Sequence, residues 1–410
     1  FSQGSIRRRI LAVATPMLIA QLLNLLYNIV DRIYIGKIPG EGTLALASIG
    51  LCFPFVTLIT AFANLFGLGG APLCAMARGK GNREGAQGIM VNAGFMLLLS
   101  GAVLTVLGIA FHRPLLYLFG ASEVTYPYAS SYIVIYLIGT LCVMLSLGLN
   151  PYINCQGFAR TGMLTVALGA AANIVLDPIF IFALHLGVRG AAIATVLSQF
   201  LSAAWVVKFL TSKKAELKLD FRGFRPDCQC IQRITVLGIA SFVMSFTDTL
   251  VQVACNATLR NFGGDLYISV MTVLNSVRQI AQTPVLAIAD GASTAISYNY
   301  GAGLYKRTRD AIRFMTQIAI GYTMLVWMLV SLFPALFIRI FNQDAELVAA
   351  AVPALHIYFF GFVMMAFQYA GQSTFRALGR AKYAVFFSLL RKAFIVVPLT
   401  LLLPYCWNLG

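Results

Sequence analysis

Residues 10–36 read ILAVATPMLIAQLLNLLYNIVDRIYIG, an apolar run long enough to cross a lipid bilayer. A membrane helix needs about 20 mostly apolar residues to span the roughly 30 Å of hydrocarbon. The run is too long, and too rich in Asn and Asp, to be a cleaved signal peptide. It therefore predicts a first membrane-spanning helix that stays in the protein.

Similar apolar stretches recur along the whole chain. Hydrophobic residues make up 59% of the 410 residues and charged residues only 11%, whereas a soluble domain has roughly 25% charged residues. The eleven predicted spans are residues 10–36, 44–73, 88–111, 124–153, 162–184, 190–210, 233–258, 267–298, 312–333, 347–375 and 382–405. The predicted fold class is an all-α polytopic membrane protein.

The distribution of basic residues predicts the orientation. The net charge of +16 could suggest a nucleic-acid partner, but 21 of the 30 Lys and Arg residues fall in alternate loops and six on the opposite side. Loops rich in Lys and Arg are typical of the cytoplasmic face of membrane proteins. We therefore expect a multi-pass protein of the cell membrane, a bacterial inner membrane, with a cytoplasmic N-terminus and no nucleic-acid partner.

The sequence also repeats itself at an offset of 222 residues, where Gly79 meets Gly301 and Tyr136 meets Tyr358. Six helices per lobe make such a repeat parallel. The predicted parts are an N-terminal lobe at 1–210 with helices 1–6, a polar cytoplasmic linker at 211–232, and a C-terminal lobe at 233–410 with helices 7–11. Since residue 410 corresponds to residue 188, we expect twelve helices in the native protein, the twelfth being absent from this chain.

Polar residues form a stripe on the first predicted helix. Gln21, Asn24, Asn28 and Asp31 are spaced so that they fall within a sector of roughly 80°. A carboxylate inside a membrane is costly and usually functional. The stripe is therefore expected to face a cavity or a partner helix.

A second acid lies in the fifth predicted helix. Asn173 and Asp177 share one face, and the following Pro178 should disturb the helical hydrogen bonds. Counting 1.5 Å per residue from the predicted outer surface puts Asp31 and Thr195 about 9 Å deep, and Asp177 slightly deeper. These four polar side chains could therefore form one site whose oxygen atoms bind H⁺ or Na⁺.

The alternative interpretation of these acids is structural. Asp31 could be solvated near the interface, or could pair with the neighbouring Arg32. Asp177 could simply hydrogen-bond to a packed helix. Arg278 and Asp290 in the eighth predicted helix are three turns apart, so each needs a partner elsewhere.

Other intramembrane polar residues are candidates for a central substrate cleft. Asp248 and Gln252 superpose on Asn24 and Asn28 when the halves are shifted by 224, and a structural contact between helices is the alternative for Asp248. The candidate cleft residues are Gln21, Asn24, Asn28, Tyr136, Asn150, Asn154, Asp248, Gln252, Arg278, Gln372 and Arg376.

Several enzyme signatures are missing from the sequence. It contains no phosphate-binding G-x-x-x-x-G-K-[ST] loop, no H-E-x-x-H zinc motif and no nucleophile elbow. We therefore expect neither an enzyme nor a cofactor, and no ion other than a coupling H⁺ or Na⁺.

Four segments of the sequence resemble one transporter family. They are NIVDRIYIG at 28–36, NIVLDP at 173–178, GAAIATVLSQ at 190–199 and YNYGAG at 298–303. The family is multidrug and toxic compound extrusion (MATE), and the likeness to its DinF-like branch covers the whole chain. The resemblance implies two six-helix lobes around a central cleft and export of cationic or amphipathic drugs by alternating access, coupled to H⁺ or Na⁺.

The resemblance also implies residue roles and partners. It gives Asp31, Asn173 and Asp177 as the cation site, with Thr195 as the hydroxyl of the sixth helix. The expected partners are small organic cations, amphipathic drugs and membrane lipid, and a monomer is expected. The nearest alternative is a flippase for lipid-linked saccharides, which would need a more cationic cleft to hold pyrophosphate. Arg278 and Arg376 keep that alternative open.

Overall fold

The computed structural model describes residues 5–40, 42–119, 121–340 and 345–406. Within these ranges every regular element is a helix and none is a strand. The chain is thus an all-α polytopic protein, as predicted. Among the described residues, eight helices are long and apolar enough to cross a membrane, and two bent helix pairs raise the number to ten.

The first half of the chain contains eight α-helices. They are α1 (Ile6–Gly36), α2 (Gly42–Gly50), α3 (Phe53–Gly79), α4 (Arg83–Leu118), α5 (Tyr126–Ile138), α6 (Thr140–Cys155), α7 (Ala159–Pro178) and α8 (Gly187–Thr211). A π-helical turn, Ile179–Ala183, follows α7 directly. The regular helix ends at Pro178, because proline has no N–H to donate within the helix.

The second half contains seven more α-helices and a second π-helical turn. They are α9 (Cys228–Gly301), α10 (Tyr305–Leu332), α11 (Pro334–Arg339), α12 (Ala345–Phe359), α13 (Phe362–Ala377), α14 (Ala381–Leu389), the π turn Leu390–Val396, and α15 (Val397–Cys406). The bent pairs are α5 with α6, at 56°, and α12 with α13, at 45°. The two bends fall at Gly139 and Gly361, which are 222 residues apart and match the sequence repeat.

Ten of the eleven predicted spans coincide with these long helices and bent pairs. The observed helices extend further than the apolar runs. For example, the span predicted at 88–111 lies within α4, which runs from Arg83 to Leu118 and so includes residues on both sides of the predicted span. The remaining predicted span, 267–298, lies within α9.

In α9, helical hydrogen bonding between neighbouring turns continues over 74 residues, but this does not make the helix straight. A straight helix would separate Ser241 from Asp290 by about 74 Å at 1.5 Å per residue. Both side chains nevertheless contact Arg376, at 3.3 and 3.5 Å. The chain must therefore turn back between Ser241 and Asp290, as two separate crossings would require, and the span at 267–298 stays a prediction.

Two compact units make up the chain, and their limits differ from the predicted lobes. The first unit comprises residues 19–238 and includes the predicted linker, 211–232. The Leu217 N–H donates to Gln156 Oε1 at 2.9 Å, and the Asp227 N–H donates to Asn92 Oδ1 at 3.0 Å. Because its backbone donors bond to side chains of the unit, this segment is fixed in place.

The second unit comprises residues 1–18 together with residues 239–410. Ile10 is fully buried in a cluster that includes Ala292. A Cβ atom added at Gly291 would lie 2.8 Å from the Ala14 Cα, so the two backbones touch there. The start of α1 therefore packs with the C-terminal part of the chain, although the predicted lobe boundary assigned it to the N-terminal part.

Candidate functional site

Two acids from α1 and α7 meet inside the unit of residues 19–238. The carboxyl groups of Asp31 and Asp177 lie within hydrogen-bonding reach of each other. Asp177 is fully buried and Asp31 is half-buried. Two ionised carboxylates offer only acceptor atoms, so a shared proton or a bound cation would stabilise their close approach.

The other two predicted members of the site complete the group. Asn173 is buried one turn before Asp177, and its Nδ2 donates to Asp177 Oδ1 at 3.2 Å. The same Nδ2 donates to Thr195 Oγ1 of α8 at 3.5 Å. The structure therefore brings Asp31, Asn173, Asp177 and Thr195 together.

Three oxygen atoms of this site have no hydrogen-bond donor among the described residues. They are Asp31 Oδ1, Asn173 Oδ1 and Asp177 Oδ2, and all three are buried. An unsatisfied buried polar atom costs about 1–3 kcal/mol, so such atoms are rare and need a reason. Carboxylate, amide and hydroxyl oxygens are the ligands that hard cations prefer. The site is thus suited to hold a proton or a small metal cation.

The alternative pairing of Asp31 with Arg32 does not occur among the described ion pairs. The Arg32 guanidinium instead lies over the ring of Phe53, 5.2 Å from its centroid. The basic neighbour therefore leaves the Asp31 carboxyl group directed toward Asp177.

The turn between α7 and α8 positions the site. A Cβ atom at Gly190 would lie 2.5 Å from the carbonyl oxygen of Phe180, so only glycine lets α8 approach the π turn this closely. The same carbonyl accepts the N–H of Leu186 at 3.1 Å. This close packing holds Thr195, further along α8, within reach of Asn173.

Tyrosine side chains lie near the acid pair. Tyr132 and Tyr136 stack with their ring centroids 6.1 Å apart, and both are buried. Tyr27 lies close enough to interact electrostatically with Asp31 and Asp177, and Tyr132 with Asp31. The sequence analysis singled out Tyr136 but missed Tyr27 and Tyr132. Their signal was a spacing of four residues, Tyr27 from Asp31 and Tyr132 from Tyr136.

The remaining stripe residues of α1 have different environments. Asn24 and Asn28 are exposed, and Gln21 is half-buried. Asn28 Nδ2 donates to the Asn24 backbone oxygen at 2.6 Å. Two of the stripe residues are therefore accessible, while Asp31 at the end of the stripe contacts the second acid.

Two candidate cleft residues of α6 pack against α7. Asn150 Nδ2 donates to the Gly162 backbone oxygen at 3.3 Å. Asn154 is buried beside the same glycine, where an added Cβ would lie 2.2 Å from Asn154 Oδ1. The structure thus places both asparagines at a helix–helix contact, and a role in a cleft stays a prediction.

The candidate residues of α13 lie in the unit that contains residues 239–410. Arg376 forms an ion pair with Asp290 at 3.5 Å and donates to Ser241 Oγ at 3.3 Å. The sequence analysis expected Asp290 to have a partner other than Arg278, and Arg376 is that partner. Gln372 is buried, and its Oε1 has no hydrogen-bond donor among the described residues.

Arg278 lies apart from that ion pair. Its guanidinium lies over the ring of Tyr358, 5.8 Å from the centroid. The Tyr358 hydroxyl donates to Asn275 Oδ1 at 2.8 Å. The side chains of Asp248 and Gln252 lie outside the described residues, so their predicted roles stay predictions.

Together, the membrane-spanning helices and the buried polar site define a polytopic membrane transporter. The chain belongs to the MatE family, whose model matches residues 16–179 and 240–402. The multidrug export protein MepA of Staphylococcus haemolyticus is 24% identical over 410 residues, covering 100% of this chain and 89% of that protein. MepA of Staphylococcus aureus strain MSSA476 is 21% identical, covering 100% and 90%.

Solved structures share the fold of this chain. A MATE crystal structure in the bent conformation superposes with a TM-score of 0.93 at 24% identity, covering 99% of this chain and 90% of that one. A multidrug resistance MATE transporter in an outward-facing conformation gives the same values. A MOP superfamily transporter from Pyrococcus furiosus, described as having a binding pocket of reversed polarity, gives 0.92 at 24% identity, covering 99% and 90%.

Proposed function

We propose that this protein is an antiporter that exports cationic or amphipathic drugs by alternating access and is driven by an inward flow of H⁺ or Na⁺. The observation that supports the proposal best is the set of three buried oxygens without donors on Asp31, Asn173 and Asp177. A cation bound there would satisfy all three and neutralise the acid pair.

The tyrosines provide a basis for exchange. Aromatic ring faces attract organic cations, and the attraction is strongest where water is excluded. Tyr27 and Tyr132 are near the acids that would hold the coupling ion. The negative charge of Asp31 and Asp177 would attract both an organic cation near these rings and a coupling ion bound to the two acids. Each would therefore weaken the binding of the other, which is the differential affinity that antiport needs.

Comparison with relatives supports the substrate class. The two MepA proteins are multidrug export proteins, and one solved relative is a multidrug resistance transporter in an outward-facing conformation. We further propose that the protein works in the cell membrane among lipids, as a monomer and without chemical change of its substrate. The excess of Lys and Arg in alternate loops supports a cytoplasmic N-terminus.

The test is efflux of a fluorescent cationic dye from vesicles that contain the purified full chain. A proton gradient and a sodium gradient are imposed separately, and wild type is compared with Asp31→Asn and Asp177→Asn. Asp310→Asn is the matched control, because Asp310 is exposed on α10 and lies outside the site. Thermal unfolding of each variant verifies that it is folded.

The proposal expects one gradient to drive efflux, both site variants to lose it, and the control to keep it. Normal gradient-driven efflux by folded Asp31→Asn would disprove the role of the acid pair. The flippase for lipid-linked saccharides is the second candidate, and the basic residue Arg278 favours it. If neither gradient moves the dye although the wild type is folded, lipid-linked substrates are the next to be assayed.

A further inference from the structure

The unit formed by residues 239–410 with residues 1–18 contains a cavity of about 320 Å³. Basic side chains of two different elements line it, Arg278 from α9 and the pair Arg391 and Lys392 from the π turn after α14. Arg391 and Lys392 lie near the middle of the candidate span Lys382–Leu402. These are therefore ionisable residues at the depth of the membrane interior, where such residues are rare and usually functional.

No acidic residue is among the described residues that line this cavity. Asp248 and Asp265 are on the neighbouring parts of α9, and their side chains lie outside the described residues. Even if both faced the cavity, three positive charges would outnumber two negative charges. The Arg278 Nε is also buried without an acceptor among the described residues. The cavity is therefore electropositive and has at least one donor available for a ligand.

The backbone explains why two consecutive basic residues reach the same cavity. The turn Leu390–Val396 is π-helical, with a wider turn than the flanking helices α14 and α15. Short π-helical insertions of this kind occur frequently at functional sites. Lys392 is buried, and its Nζ donates to the Met244 backbone oxygen at 3.1 Å. This hydrogen bond fixes the ammonium group in the interior.

The rest of the cavity is apolar or amphipathic. Met271, Phe362 and Met365 form part of its wall, and the ring of Tyr358 lies beside the Arg278 guanidinium. Its volume is near the lower end of the roughly 300–1,000 Å³ typical of small-molecule pockets. Such a site would accept a ligand that joins a negatively charged head to a short hydrocarbon or aryl group.

We infer that this cavity is a second binding site, separate from the acid pair, and that it binds an amphipathic anion with a phosphate or carboxylate head. Guanidinium and ammonium groups form charge-assisted hydrogen bonds with both kinds of head. The anion could enter as a free amphipathic acid or as the head of an anionic lipid. In either case the ligand has the opposite charge to the cations proposed for the Asp31 site.

The experiment uses the full chain in nanodiscs of phosphatidylcholine. Isothermal titration calorimetry measures the binding of 2-naphthyl phosphate, with neutral 2-naphthol as the matched probe that lacks the charge. In a second arm, native mass spectrometry counts phosphatidylglycerol molecules retained from mixed nanodiscs. The variants are Arg278→Gln and Lys392→Gln. The control Lys306→Gln removes one positive charge from an exposed residue that does not line the cavity.

Loss of one charge-assisted hydrogen bond is expected to weaken binding of 2-naphthyl phosphate by about tenfold or more in either cavity variant. The control should bind like wild type, and 2-naphthol should not distinguish the proteins. Binding of the naphthyl phosphate identifies a free acid as ligand. Retention of phosphatidylglycerol alone, lost in the cavity variants, identifies lipid as the source.

Two results would overturn the inference. One is that folded wild type binds neither probe. The other is that both probes bind equally well to wild type, Arg278→Gln and Lys392→Gln, which would place the anion elsewhere. Thermal unfolding verifies that each variant is folded. Because Arg278 and Lys392 belong to different elements, one variant suffices for the test if the other does not fold.

Discussion

Substituting Gly190 by alanine is expected to separate α8 from the end of α7 and so to weaken the cation site. The added Cβ would lie 2.5 Å from the Phe180 carbonyl oxygen and 2.6 Å from its carbonyl carbon. Ordinary van der Waals contact begins near 3.4 Å. The two backbones must therefore move apart by about 1 Å, because neither atom belongs to a side chain that can rotate away.

The magnitude follows from the position of Thr195, which lies about one and a half turns further along α8. Its Oγ1 is already 3.5 Å from Asn173 Nδ2, at the limit of a hydrogen bond. A displacement of about 1 Å would break this contact. Overpacking of this kind typically costs about 1–3 kcal/mol of stability. Loss of one hydrogen bond at the site, about 1 kcal/mol, would raise the half-saturating concentration of the coupling ion about fivefold.

The assay is initial dye efflux at a series of coupling-ion concentrations, together with thermal unfolding of the purified protein. Gly88→Ala is the matched control, since Gly88 lies inside α4 and an added Cβ meets nothing within 4 Å. The control should keep wild-type coupling and could gain up to about 1 kcal/mol in helix stability. If Gly190→Ala shows wild-type stability and wild-type ion dependence, the close packing does not position Thr195 and the reasoning is wrong.

Two further predictions concern the second unit and the orientation. Arg376→Met should lower the free energy of unfolding by about 2 kcal/mol, because it leaves the mostly buried Asp290 carboxylate without its partner. In the double variant that also carries Asp290→Leu, most of this lost stability should return, as measured by thermal unfolding. Equal stability of the single and double variants would contradict this. A variant whose only cysteine is the exposed Cys228 should react with a membrane-impermeant maleimide in inside-out vesicles but not in right-side-out vesicles, because the linker is predicted to be cytoplasmic. The reverse labelling pattern would invert the predicted topology.

The sequence predicted the spans and the acid site because the membrane restricts what a chain can do. Apolar length identifies crossings, and a fixed rise per residue converts sequence position into depth. Asp31, Asn173 and Asp177 were predicted to lie at similar depth on polar helix faces, and the structure joins them. Polar residues inside a membrane are rare, so each one is informative.

Other features left a weaker signal or none. Tyr27 and Tyr132 lie four residues from Asp31 and Tyr136, but tyrosines are common in membrane helices, so this spacing alone did not distinguish them. The pairing of Arg376 with Asp290 joins residues 86 positions apart, and helical periodicity carries no information about contacts between distant helices. The basic cavity could not be predicted for the same reason, because Arg278 and Arg391 are distant in the sequence. The position of residues 211–232 depends on contacts such as the hydrogen bonds to Gln156 and Asn92 and the ion pair of Arg78 with Glu216, which composition does not encode.

The packing of residues 6–18 with the C-terminal part of the chain has a consequence for biosynthesis. Ile10 leaves the ribosome almost three hundred residues before its neighbours Ala292 and Ile296. At about 5–20 residues per second, the start of α1 would wait roughly 15 to 60 s for them. During that time its apolar surface must be covered by lipid or by the insertion machinery, and the second unit cannot be completed until those residues have been made.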